Sequence, residues 1–127
     1  MTPEARVLAE VRLALSEAGV LVLRNQVGRL EDKTGRWVGF GLGVGSPDLV
    51  VFEDGYVMGL EVKRPASDRV TWENQHGKGR DRGGEVSAEQ VQCARMWLRY
   101  GVRTYVVRSA AEALTALAEE RERRCRQ

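Results

Sequence analysis

Apolar residues recur at helical spacing from about Pro3 to Ala18, where Val7, Leu8, Val11, Ala14, Leu15 and Ala18 share one stripe and Gly19 stands at its end. The period then changes. Leu21 to Asn25 reads as a short strand, Arg29 to Thr34 as a polar, charged connection, and Arg36 to Phe40 as a second strand candidate. Alternate glycines from Gly39 to Gly45 lead into Ser46-Pro47. A strand follows them rather than a helix, so they lack the layout of a phosphate-cradling loop and predict close backbone packing beside a site, with no nucleotide cofactor. Asp48 to Glu53 and Tyr56 to Val62 are two apolar strands joined by Asp54-Gly55, the strongest short hairpin signal.

A long basic, Gly-rich connection covers 66–85, longer than ordinary loops. Ser87 and Gln90 then form a capping-box pattern at the head of a helix that Gly101 closes. Val102 to Arg108 is a further strand, and Ser109 with Glu112 caps a last helix to about Arg121, leaving 122–127 as a tail expected to fray. Five strand candidates among three helices predict a single α/β (α+β) domain over 1–127.

Composition narrows the class. Hydrophobic residues make up 43% and charged residues 30%, the balance of a folded chain. No apolar run reaches the ~20 residues of a membrane span, and the start, MTPEARVLAE, lacks a signal-peptide layout, which points to the cytoplasm and to no membrane partner. Cys93 and Cys125 form no CxxC pair and read as reduced thiols. The net charge of +2 excludes little, but Lys63 to Arg108 carries ten Lys and Arg against five Asp and Glu, so one half of the chain is basic.

The hairpin register brings the candidate chemistry together. With Asp54-Gly55 as a two-residue turn, Glu53 faces Tyr56 and Asp48 faces Glu61, and Lys63 lies two residues on along the same face. Opposed carboxylates repel, so a divalent cation or Lys63 must compensate, and a solvated ion pair is the bland alternative. Val50, Phe52 and Val57 share that face and make it too apolar for a solvated one. A third acid is sought on the first helix. Glu4 lies within the apolar stripe while Glu10 lies off it, so Glu4 is the better candidate, although an acid in a first helical turn also needs no site.

Pro47-Asp48 followed by Glu61-Val62-Lys63 on the next strand resembles the PD-(D/E)xK nuclease superfamily, and the surroundings are similar to its VRR-NUC branch: Arg24-Asn25, the glycine run, EVKRP from Glu61 to Pro65, and Gln90 heading the next helix. The resemblance spans Glu4 to Ser109 and departs from the family in the long connection. It implies a restriction-endonuclease-like core with a central mixed sheet of about five strands flanked by helices. It further implies Mg²⁺ or Mn²⁺ held by Asp48, Glu61, the Val62 carbonyl and Glu4, with Lys63 orienting the attacking water and stabilising developing charge. Gln90 would belong to the site, although the capping box accounts for it equally well.

The implied reaction is hydrolysis of DNA to a 5′-phosphate and a 3′-hydroxyl. The substrate would be branched, flapped or junction DNA, cut by a homodimer like the Holliday-junction resolvases, in replication, repair or recombination, with a phage origin plausible for so small a chain. Arg64, Arg69, Lys78, Arg80, Arg82, Arg95 and Arg99 are the candidate phosphate contacts. Trp72 could stack on an unpaired base or anchor the connection, and His76 reads as solvated. The rival readings are a non-catalytic nucleic-acid-binding module and a sequence-specific restriction-type endonuclease.

Overall fold

The computed structural model describes residues 1–65 and 84–127. Helix α1 (Pro3–Glu17) starts at Thr2, whose hydroxyl accepts from the Ala5 amide, with Pro3 in the first turn where its missing N–H costs nothing. Strands β1 (Leu21–Arg24), β4 (Leu49–Glu53), β5 (Tyr56–Val62) and β6 (Arg103–Val107) form one sheet in the order β1-β4-β5-β6. The first two pairings are antiparallel and β5 runs parallel to β6, so the sheet is mixed. Helix α2 (Ala88–Arg99) provides the crossover that a parallel pairing requires, and α3 (Ala110–Cys125) follows β6.

The β4–β5 hairpin has the predicted register, with Glu53 opposite Tyr56 and Leu49 opposite Leu60. Its turn residues Asp54 and Gly55 both have positive φ, the conformation a tight two-residue hairpin turn needs. Alternation then sorts the sheet. Leu49, Val51, Met58, Leu60, Val62 and Val107 face α1 and α3, where they bury Val7, Val11, Leu15, Ala113, Ala116 and Leu117 in the one core. The opposite face carries Val50, Gly59 and Glu61. It is covered by α2 near β6 and left open at Leu21, Leu23 and Phe52 near β1.

Three expectations are corrected. Among the described residues the central sheet has four strands, because Trp37–Phe40 (β3) leaves it to pair with Gly28–Glu31 (β2) in a separate antiparallel ribbon. The stretch read as a polar connection is therefore partly strand. Gly28-Arg29-Leu30-Glu31 has a single apolar side chain, too few to show alternation, and its pairing depends on a tip in which Asp32 accepts from the amides of Thr34 and Arg36. The tail expected to fray is also helical as far as Cys125. Arg124 explains this: it ion-pairs with Glu53 at 3.0 Å and lies over the Tyr56 ring, tying the end of α3 to the hairpin. No helix is long and apolar enough to cross a membrane among the described residues.

Candidate active site

Where β4 begins, its partner strand runs on past it. Pro47 stands where a β4 residue would pair with Val62 and is fully buried against Gly59, at which a Cβ would come within 2.6 Å of the proline ring. Asp48 takes over the pairing. Its Oδ2 accepts the Val62 amide at 2.7 Å, and since a residue in a strand turns N–H and C=O to the same edge, the Val62 carbonyl faces the same side. The Lys63 amide turns the other way, to the Val107 carbonyl.

Asp48, Glu61 and Lys63 are brought together as the register predicts. Glu61 is buried, and burial together with the adjacent Asp48 carboxylate pushes its pKa up to about 8, against a smaller opposing pull from Lys63. Lys63 Nζ lies 3.5 Å from Glu61 Oε1, and Gln90 Nε2 donates to that same oxygen at 2.7 Å. Gln90 also completes the capping box, its Oε1 accepting from the Ser87 amide while its own amide donates to the Ser87 hydroxyl. Gly45 packs so closely on the Glu89 carbonyl that a Cβ there would collide with it, which locks the glycine run to the head of α2.

Two clefts meet at Asp48. One, of about 500 Å³, is walled by Arg24 to Val27, Val44 to Ser46, Asp48, Glu61 and the first turn of α2. The other, of about 430 Å³, lies on the α1 side and takes in Glu4, Arg12, Arg24, Asp48 and Val62. Glu4 is exposed at the helix start rather than turned into the core, yet it opens on the cleft that Asp48 lines; Glu10 does not.

Among the described residues no three His, Cys, Asp or Glu side chains gather closely enough to hold an ion on their own. The donor set still fits Mg²⁺, which binds through one or two carboxylates and takes its remaining oxygens from water and phosphate. Two adjacent carboxyls, one of them pushed up to about 8 by burial and, after that, by the other, are the sign that a positive charge suits the position. Burial, with Glu61 nearby, also pushes the Cys93 thiol up, leaving it an inert neighbour.

Of the basic residues, Arg95 and Arg99 stand exposed on α2, and Arg95 lines a cleft of about 450 Å³ that also contains Glu61 and Gln90. The Arg64 carbonyl accepts from Arg108. Arg69, Lys78, Arg80 and Arg82, with Trp72 and His76, lie outside the described residues.

Three residues carry more of the site than their sequence context suggested. Asn25 donates to Ser46 Oγ at 2.7 Å and to the Pro47 carbonyl at 2.8 Å, accepts from the Leu42 amide, and bonds Asp48 through its own amide. Arg24 lines both clefts, and Arg108 binds the carbonyls of Arg64 and Gly84. Arg24-Asn25 was visible only through the resemblance. For Arg108 no local signal exists.

This arrangement, a mixed sheet whose central hairpin presents paired acids at the sheet end with helices on both faces, defines an α+β domain with its candidate site at a strand terminus. A solved structure described as a VRR_NUC domain superposes on it with a TM-score of 0.56, covering 93% of this chain and 97% of that one at 18% sequence identity. The chain thus has the fold of a VRR_NUC domain, as the PD and EVKRP segments led us to expect. No protein-family model and no curated protein matches the sequence.

Proposed function

We propose that the protein is a Mg²⁺- or Mn²⁺-dependent endonuclease that hydrolyses DNA phosphodiesters and selects branched, flapped or junction DNA by shape. The observation that carries this reading is the convergence of Asp48, buried Glu61 and Lys63 at the end of one hairpin, with Asp48 and Glu61 lining one cleft. A pure binding module gains nothing from acids aimed at phosphate.

Asp48, Glu61, the Val62 carbonyl and, across its cleft, Glu4 would hold the ion. A bound divalent cation supplies charge screening and water activation. Lys63 places an ammonium beside Glu61, where it orients the attacking water and meets the charge that develops on the phosphate. Gln90 fixes Glu61 in place, while Arg24, Arg64, Arg95 and Arg99 contact the backbone. Action as a homodimer, with two sites on two strands, in replication, repair or recombination in the cytoplasm of a bacterial or phage-infected cell, rests on the resemblance alone.

The test is a panel of labelled linear, single-stranded, flap, splayed-arm and four-way-junction DNAs with Mg²⁺, Mn²⁺ or EDTA. Cutting that needs metal, and that falls by about 10²-fold or more in Asp48→Asn and in Lys63→Ala, is the expected result. Wild type that binds these DNAs and cuts none, with the variants binding equally well, would leave a binding module. Cutting confined to one duplex sequence would make it a restriction-type enzyme.

A further inference from the structure

The β2–β3 ribbon is the part of the described chain that the site does not explain. Its two strands pack chiefly on each other, and its side chains are exposed throughout, Leu30 at 66%, Trp37 at 58% and Val38 at 49%. A lone two-stranded hairpin is marginal in water, so an outward ribbon of this kind calls for a partner.

Both feet of the ribbon stand in the site. Arg24 to Val27 on one side and Val44 to Ser46 on the other are walls of the cleft that holds Asp48 and Glu61, and Asn25 staples the two feet together. A strand of substrate lying in that cleft therefore leaves it alongside the ribbon. The ribbon also carries Arg29, Lys33 and Arg36, none of which ion-pairs among the described residues. Of its two acids, Asp32 is engaged by the tip, bonding the Thr34 hydroxyl and the amides of Thr34 and Arg36, and Glu31 lies back over Gly35. Arg29 and Trp37 share one face; Leu30, Val38 and Phe40 share the other.

We infer that this ribbon is a substrate arm, which lies in the groove of the duplex leaving the cleft, with Arg29, Lys33 and Arg36 on phosphates and Trp37 against the groove wall. The inference rests on the nuclease reading for its substrate. A two-stranded ribbon fits a B-form major groove about 12 Å wide. From Gly28–Phe40 to Asp32–Arg36 it reaches about 13 Å at roughly 3.3 Å per residue. At about 3.4 Å per base pair, that covers about four base pairs beyond the cut.

The experiment shortens one duplex arm of the preferred substrate stepwise from about 20 to about 3 base pairs. DNA binding by anisotropy in EDTA and cleavage with Mg²⁺ are measured for wild type, Lys33→Ser/Arg36→Ser and Trp37→Ala, each checked for folding by thermal melting. Wild type should lose about tenfold in affinity once the arm falls below about four base pairs. The variants should lack that step, their defect on long arms appearing in KM and not in kcat. Removing two phosphate contacts should also lower the slope of log K against log salt by about 1.8.

An unchanged length dependence and salt slope in both variants overturns the inference. So does a shift from dimer to monomer in light scattering, which would make the ribbon a contact between two copies. If wild type cuts nothing yet binds with the length step and the variants lose it, the nuclease reading falls and the arm stands.

Discussion

Gln90 has one amide group and serves two partners with it. The oxygen accepts from the Ser87 amide and closes the capping box, while the nitrogen donates to Glu61 on the neighbouring strand. Capping the helix and contacting Glu61 are compatible, because an amide side chain has separate donor and acceptor ends. Two variants separate the effects. Ser87→Ala and Gln90→Ala should each cost about 1 kcal/mol of stability through the lost cap. Only Gln90→Ala also frees the Glu61 carboxyl, so its cleavage should fall about tenfold further than that of Ser87→Ala, roughly the effect of one lost hydrogen bond to a charged group. Equal losses of activity would mean that Gln90 acts through the helix cap alone.

At the scale of elements, the end of α3 is fastened to the hairpin by charges. Arg121 and Arg124 bind Glu53 on β4, and buried Glu120 takes a hydrogen bond from Tyr105 and an ion pair from Arg123. The Arg121 hydrogen bond holds the Glu53 carboxyl below its usual range. Burial alone would raise Glu120, but Arg123, Tyr105 and Arg124 outweigh it and hold it low as well, while burial and Glu120 push Tyr105 up to about 12. A carboxyl with a depressed folded pKa stabilises the fold above its unfolded value of about 4.5 and loses that contribution as pH falls through the folded value. Thermal melts should therefore drop steeply below about pH 4.5 in wild type and more gently in Glu120→Gln. A Gln variant that is as acid-sensitive as wild type would remove Glu120 from the account.

The same elements show what could be read in advance. The hairpin register followed from one turn dipeptide and a period of two, and with it came the placement of Asp48, Glu61 and Lys63. Strand β2 was out of reach because Gly28 to Glu31 has a single apolar side chain and shows no alternation, and the last turn of α3 because its anchor is non-local: the helix end depends on Glu53, far away in the sequence.

For the whole molecule, the division of labour follows the sheet's two faces. One face is sealed by α1 and α3 around an apolar core, and the site opens at the sheet's end, where β4 stops short of β5 and Asp48 stands between two clefts. Arg108, which leads from β6 toward α3, adds a brace there, its guanidinium holding the Arg64 carbonyl at 3.0 Å and the Gly84 carbonyl at 2.9 Å. The chain that leaves the hairpin and the chain that returns to α2 thus meet at a single side chain.

Once two chain ends are clasped together, the length between them is cheap to change, since each doubling of a flexible loop costs only about 0.6 kcal/mol in closure entropy. Replacing residues 66–83 with a short Gly-Ser linker should accordingly leave the melting temperature within a few degrees of wild type. The same replacement in an Arg108→Ala background should cost several degrees more, and an equal cost in both would show that the brace does not hold the two ends together. The two ends that Arg108 holds are in effect a fixed mount: what is placed between them can be changed while the sheet that aims the carboxylates stays as it is.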